Sequence, residues 1–563
     1  MDLIRTFLIA ILAILSFQLW IAWEEDYGKS PTQIAETSAT PQAPSQVNST
    51  PPQVSDDIPR VRKPSEQATT SAPTPITTST ATSQNIVVTT DVLKVVIDSR
   101  GGDIVYAELL DFPESLGSKN NVVLMMKGDG RTYVAQSGFV GSEQSPDSLE
   151  QRVIYQSTQP SYQLQQGKDF VDAVFGWSSP EGVHYQKVFR FYRGKYSVDI
   201  QHVIQNDSPQ PVEEQIFAQI KRDQFSESSG GFAMATYTGA AFGSSEVRYE
   251  KVDFDDINEK NMEIKTQGGW VGMLQHYFVT AFIPNKEKYN DLYTQKGGSG
   301  LAIIGYRSDS VAIQAGQSHQ FTSVFYVGPK IQDELEKLHE DLDLVVDYGF
   351  LWWLAQPLFM LLQFYHGIVA NWGVAIILVT VTVKALFYRL SAAQYRSMAK
   401  MRQVQPKLMK IRERYANDRQ KLSQEMMNLY KKEKVNPLGG CLPLLIQMPV
   451  FIALYWCLME SVELRQAPFA LWIQDLSIQD PYYILPVLMG LSMFFMQKLS
   501  PQAFTDPMQQ RVMQLMPILM TGFFLFFPAG LVLYWVVNNC LSMLQQWYIT
   551  RAVENEASQK KSS

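Results

Sequence analysis

Lys384 is the residue whose position most constrains what this chain can do. It sits within residues 372–390, WGVAIILVTVTVKALFYRL, a run that otherwise reads as a membrane span. A lysine at the centre of a bilayer costs about 2.5–3.5 kcal/mol on insertion scales, so chains keep one where it faces protein or water. The chemistry on offer is electrostatic, a positive charge on a polar surface at membrane depth. A second reading stands beside it. Arg389 follows five residues later, about 7.5 Å along a helix, so the lysine stem can also snorkel toward the nearer interface.

Other polar groups recur in the apolar C-terminal half. Thr380 lies one turn before Lys384 and faces the same side. Gln447 falls between Pro443 and Pro449, Ser492 and Gln497 mark a later run, and Asn538 with Asn539 marks the last. Such residues line one hydrated pocket or bond neighbouring helices. Met448, Met489, Met493, Met496, Met513, Met516 and Met520 fall in the same region. Methionines fill cores, and they also suit surfaces that accept varied apolar sequences.

Several chemistries find no support. There is no G-x-x-x-x-G-K-[ST] and no G-x-G-x-x-G, hence no nucleotide site. No two of the six histidines stand three or four residues apart, so no helical metal pair is visible, and no cofactor is expected. The net charge of -7 does not suggest nucleic acid. Cys441, Cys457 and Cys540 all fall in apolar C-terminal segments, so no disulfide framework holds the long middle region.

The elements that must position Lys384 follow from composition. Residues 1–27 read as an uncleaved membrane anchor: an apolar run closes on Trp20 and Trp23, then Glu24, Glu25 and Asp26. Residues 28–85, rich in Pro, Ser, Thr and Gln, read as a disordered linker. Residues 86–345 carry many short strands punctuated by Gly and Pro, which predicts an antiparallel β-sandwich. An amphipathic helix over 331–344, with Leu335, Leu338 and Leu342 on one side, is expected to close it. Residues 346–368 predict an interfacial helix presenting Trp352, Trp353 and Phe359. A second span is expected at 369–389, a cytoplasmic hairpin at 390–435, spans three to six within 436–548 and a cytoplasmic tail at 549–563.

Charge orients these spans. From Arg389 to Lys434 thirteen basic residues face four acidic ones, a net of +9, which places the hairpin in the cytoplasm. The 461–481 loop holds Glu463, Asp475 and Asp480 against Arg465 alone, as expected outside. Six spans with both termini inside satisfy every loop. In the hairpin, Met398, Met401, Gln405, Leu408 and Ile411 follow helical spacing, as do Leu422, Met426 and Leu429, and Asp418 is placed to cap the second helix. The exposed cations Arg396, Lys400, Arg402, Lys407, Lys410, Arg412 and Arg414 either set topology alone or dock an anionic partner such as ribosomal RNA or anionic lipid.

Longer motifs carry a resemblance. Asn436-Pro437-Leu438-Gly439-Gly440-Cys441, continuing to Pro449, is similar to the third-span signature of the Oxa1/Alb3/YidC family of membrane protein insertases. So are Gln424-Glu425-Met426-Met427, the stretch from Ser461 to Phe469, Asp480-Pro481-Tyr482-Tyr483 and Asp506-Pro507-Met508-Gln509-Gln510. Anchor, linker and large outer domain resemble the long form of Gram-negative inner membranes, whose outer domain is a β-supersandwich. The resemblance implies no enzyme but an insertase and folding chaperone for nascent membrane proteins, working alone or beside the Sec translocon. It implies a hydrophilic groove open to cytoplasm and lipid, with Lys384 where the family usually has Arg. It implies a groove polar lining to which Gln447 belongs, joined here by Thr380, Ser492 and Asn538. Met448, Phe451, Tyr534 and Trp535 match or adjoin the face along which substrates slide. The hairpin and the loop 498–511 match the family's ribosome contacts.

Two rivals remain at this level. An ion-coupled transporter or channel built on Lys384 needs a path open to both faces and usually a paired internal repeat, which is not visible. A carbohydrate-binding outer domain anchored by the spans is separated from an insertase by deleting residues 86–328, after which an insertase keeps most of its activity.

Overall fold

The computed structural model describes residues 57–59, 83–142, 144–149, 151–225, 236–415, 418–433, 442–499 and 507–562. The expected anchor, all of the linker but residues 57–59 and 83–85, the Asn436–Cys441 motif and residues 500–506 of the 498–511 loop lie outside the described residues.

Alternating inward and outward residues build two stacked sheets, one of eleven strands and one of nine. The strand Val183–Tyr192 shows the logic: Val183, Tyr185, Phe189 and Phe191 are buried in alternation with more exposed neighbours. It turns through Gly194 at φ +65°, a conformation glycine adopts without cost. It then pairs antiparallel with Ser197–Asn206, from Phe191 opposite Val198 to Val183 opposite Asn206. The inward rows of both sheets meet in one core that includes Phe139, Phe175, Phe189, Trp270, Tyr306 and Phe325. One short helix, α1 (Phe254–Glu259), lies within this all-β domain.

The helix expected over 331–344 is not continuous. Helix α2 spans Gln332–Leu338, and a separate 3-10 turn spans Leu342–Val345. Between them His339 is extended, φ −153° and ψ 135°, and its Nδ1 accepts from the Asp341 N–H at 3.2 Å. That side-chain acceptor competes with the helical ladder, and the turn lets both Leu335 and Leu342 reach the sandwich core.

Eight further helices follow among the described residues: α3 (Trp352–Val369), α4 (Trp372–Leu386), α5 (Tyr388–Arg414), α6 (Arg419–Lys432), α7 (Leu442–Glu460), α8 (Ile484–Leu499), α9 (Pro507–Phe524) and α10 (Ala529–Ser562). Asn371 starts α4: its side chain accepts from the Val374 N–H at 3.0 Å and donates to the Phe469 carbonyl at 2.9 Å. Helices α3, α4, α7, α8 and α10 share a second core that includes Leu362, Ile376, Val379, Leu454, Met489 and Val532. Helices α5 and α6 form a hairpin around Val404, Leu408 and Leu429, with Lys407 and Glu433 paired across it at 2.7 Å.

Among the described residues, no single helix is long and apolar enough to cross a membrane. The run Trp372–Leu386 with Tyr388–Met401 meets that test as a pair, bent by 67° at the break. Helix α4 alone has 15 residues, about 22 Å of rise against a hydrocarbon core of about 30 Å.

The sandwich is fastened to the C-terminal end of α7. Buried Lys330 and Glu460 approach to 3.8 Å. His276 Nε2 lies 2.9 Å from the Met459 carbonyl, and Arg465 donates to the Pro113 and Glu114 carbonyls at 2.7 and 3.0 Å.

Candidate functional site

Lys384 is in the last turn of α4, half-buried against α10. Its Nζ donates to Ser542 Oγ at 2.8 Å, and Ser542 Oγ donates in turn to the Asn538 carbonyl at 2.7 Å. The Asn538 side-chain oxygen accepts from Gln447 Nε2 of α7 at 2.7 Å. Asn539 Nδ2 donates to Ser492 Oγ of α8 at 2.9 Å, and Ser492 Oγ donates to the Met489 carbonyl at 2.6 Å. Helix α10 is thus the hub: positions 538 and 542, one turn apart, present adjoining polar groups to α7 and α4.

A cavity of about 170 Å³ opens beside this hub, lined by Gln447, Met448, Phe451, Tyr534, Trp535 and Asn538, with Gln394, Tyr395, Met398 and Met496 at its other wall. A smaller recess of about 20 Å³ adjoins Lys384, Phe387, Ser391, Gln447 and Val450. Gln447 borders both. Phe451 packs on Trp535 with ring centroids 4.8 Å apart and stacks with Tyr534 at 6.3 Å. Trp535 Nε1 is buried with no hydrogen-bond partner among the described residues. Apolar rings therefore border polar amides on one continuous wall.

Of the residues singled out in the sequence, Lys384, Gln447, Asn538, Met448, Phe451, Tyr534 and Trp535 come together here. Thr380 does not line either cavity: it is buried, and its hydroxyl donates to the Ile376 carbonyl of its own helix at 2.7 Å. Ser492 is one step removed, meeting the site only through Asn539. Arg396, Lys400, Lys407, Lys410, Arg412 and Arg414 are all exposed on the hairpin, while the Arg402 side chain is outside the described residues. Ser542, Tyr395 and Gln394 are additions. Ser542 was detectable only as the residue one turn after Asn538.

A second polar centre lies inside the sandwich. Arg152 bonds Asp103 at 2.5 Å and Asp147 at 2.6 Å, with all three nearly or fully withdrawn from water. Lys187, fully buried, donates to the Gly101 and Ser137 carbonyls, and burial pulls its ammonium down to about 8. Glu214 accepts from Tyr185 at 2.7 Å and from Ser145 at 2.8 Å. Burial, reinforced by nearby Asp147 and only partly offset by those hydrogen bonds, pushes its carboxyl up to about 7.

The family described as YidC periplasmic domain matches residues 85–361, and the 60Kd inner membrane protein family matches 364–557. The chain is thus of the class of bacterial inner-membrane proteins that carry a large periplasmic domain. Its relatives include proteins named membrane protein insertase YidC from Marinomonas sp. (strain MWYL1), 49% identical over 99% of this chain and 100% of the relative. Those of Azotobacter vinelandii and Pseudomonas entomophila are also 49% identical, covering 99% and 98% of this chain and 100% and 99% of theirs. The chain belongs to the YidC family of membrane protein insertases, which are not enzymes. Among solved structures, an active YidC insertase with its first transmembrane domain resolved is 16% identical at TM-score 0.37, covering 83% of this chain and 93% of that one. A galactose mutarotase related enzyme from Lactobacillus acidophilus is 9% identical at TM-score 0.31, covering 43% and 97%. The transporter alternative finds no support in these relatives.

Proposed function

We propose that this insertase receives the polar part of an incoming segment at Lys384 while the apolar part moves past Met448, Phe451, Tyr534 and Trp535 into lipid. One observation carries the reading. Lys384 borders a small recess that it shares with Ser391 and Gln447, and among the described residues its hydrogen-bond partner is a neutral hydroxyl rather than a carboxylate. A positive charge left uncompensated at that depth is available to a substrate carboxylate. Burial of the apolar segment in lipid supplies the free energy, and a hydrated recess shortens the hydrocarbon path for the polar loop. Short helices such as α4 favour local thinning of the bilayer, which shortens the path again.

The topology that suits this reading has six spans, both termini in the cytoplasm and α3 at the outer interface. The exposed cations of the α5–α6 hairpin then face the cytoplasm, where they suit ribosomal RNA and anionic lipid headgroups. The Sec translocon is the expected companion for larger substrates. The test is insertion of a single-span substrate with an acidic tail by Lys384→Ala, Lys384→Glu and Lys384→Arg variants. Arg is expected to retain activity, Ala to lose part of it and Glu to lose most. Equal insertion by all three sinks the electrostatic role, and ion flux through the purified protein in liposomes would favour a transporter.

A further inference from the structure

Lysine brings a difficulty that arginine does not. Its ammonium is a compact, strongly hydrated point charge on a flexible stem, without a planar fork to lock its direction. With Arg389 and the helix end close by, nothing in the stem itself keeps Lys384 at the recess rather than snorkelling away. Ser542 supplies what the stem lacks. Its hydroxyl proton is committed to the Asn538 carbonyl at 2.7 Å, so its lone pairs are turned outward, where Lys384 Nζ donates at 2.8 Å. The same Asn538 holds Gln447, which borders both the recess and the larger cavity. The position of the charge is thereby registered to the wall that carries Phe451 and Trp535.

We infer that Ser542 is a positioning residue for the Lys384 ammonium, holding the charge at the groove while it is empty and yielding it to a substrate carboxylate. The inference rests on the reading that Lys384 recruits such carboxylates. A hydroxyl is suited to this because it directs the ammonium without neutralising it. An arriving carboxylate offers the ammonium a hydrogen bond together with the attraction of an opposite charge, which a neutral hydroxyl lacks, so it displaces the serine. Two donors of the ammonium remain after the bond to Ser542. The recess of about 20 Å³ has room for about one water, which the carboxylate would expel.

The experiment uses the full chain in proteoliposomes and two single-span substrates that differ only in an acidic or a neutral tail. The readout is the ratio of acidic-tail to neutral-tail insertion, compared for Ser542→Ala, Ser542→Thr, Lys384→Ala and the Lys384→Ala/Ser542→Ala pair. Ser542→Ala is expected to lower the ratio about three- to tenfold, the span of one hydrogen bond's net contribution. Ser542→Thr restores it, and the pair is no worse than Lys384→Ala alone. If Lys384→Ala collapses the ratio and Ser542→Ala leaves it unchanged, positioning by Ser542 is wrong and recruitment stands. If Ser542→Ala depresses both substrates equally and Thr does not rescue, the residue only packs, and the inference fails. If Lys384→Ala itself leaves the ratio unchanged, the underlying reading falls and this inference with it.

Discussion

Arg152 and Lys384 are both held back from bulk water, one between two β-sheets and the other among helices, and their surroundings differ in the number and sign of their partners. Arg152 meets two carboxylates, Asp103 and Asp147, and a carbonyl from each of Gly101 and Ser137. Among the described residues, Lys384 meets one hydroxyl. The sandwich thus consumes its charge internally, whereas the charge of Lys384 meets no carboxylate among the described residues, which is what the proposed recruitment of a substrate carboxylate requires. On the proposed reading, the same element of chemistry serves structure in one region and function in the other, and the number of carboxylates in reach separates the two roles.

The largest expected effect tests the first half of that contrast. Arg152→Met removes one member of a buried network and leaves Asp103 and Asp147 without their cation. Breaking a buried pair in this way costs about 3–5 kcal/mol. Denaturant unfolding of the full chain in detergent, followed by the fluorescence of the sandwich tryptophans, measures it. A loss under about 1 kcal/mol would mean that the carboxylates are not dependent on Arg152, and the contrast with Lys384 would collapse.

The intermediate effect concerns pH. The Glu214 carboxyl stands at about 7 in the folded chain, raised mainly by burial, against about 4.3 in an unfolded chain. A folded value above the unfolded one gives stability that is complete below about pH 4.3 and is lost as pH rises through about 7. Glu214→Gln removes this dependence. The wild-type chain should therefore lose on the order of 3 kcal/mol relative to the variant between pH 4 and pH 8. Parallel pH profiles for the two chains would show that Glu214 ionises freely and that the sandwich interior is wetter than its geometry suggests.

Much of this contrast was legible in the sequence, but unevenly. Lys384 announced itself because an ionisable residue interrupts an apolar run, and Gln447 and Asn538 did so for the same reason. Strand alternation made the sandwich readable. Lys187 shares the inward phase of Tyr185, Phe189 and Phe191, so its burial was encoded in parity, yet a lone lysine in a strand reads as a solvated position. Arg152 and its partners come from segments 103, 147 and 152, which only tertiary folding brings together. Thr380 illustrates the opposite error: helical spacing put it on the Lys384 face, but its hydroxyl found a carbonyl on its own helix. The 331–344 segment misled for a similar reason, since leucine spacing cannot register the hydrogen bond that the His339 side chain accepts from the Asp341 N–H where the helix ends.

The smallest expected effect sharpens the second half of the contrast. Lys384→Met replaces the ammonium by an apolar side chain of similar length. No carboxylate is orphaned, because the bond lost is to Ser542, whose hydroxyl keeps its own donation to Asn538. Replacing a poorly compensated buried charge with an apolar group is often neutral or stabilising. The thermal midpoint of the full chain in detergent should therefore stay level or rise, a stability change within about 1 kcal/mol, while insertion of an acidic-tailed substrate falls. That pairing, stability kept and activity lost, is the signature of a charge maintained for function at a cost to the fold. A drop in stability comparable to that of Arg152→Met would instead make Lys384 a structural ion like the one in the sandwich.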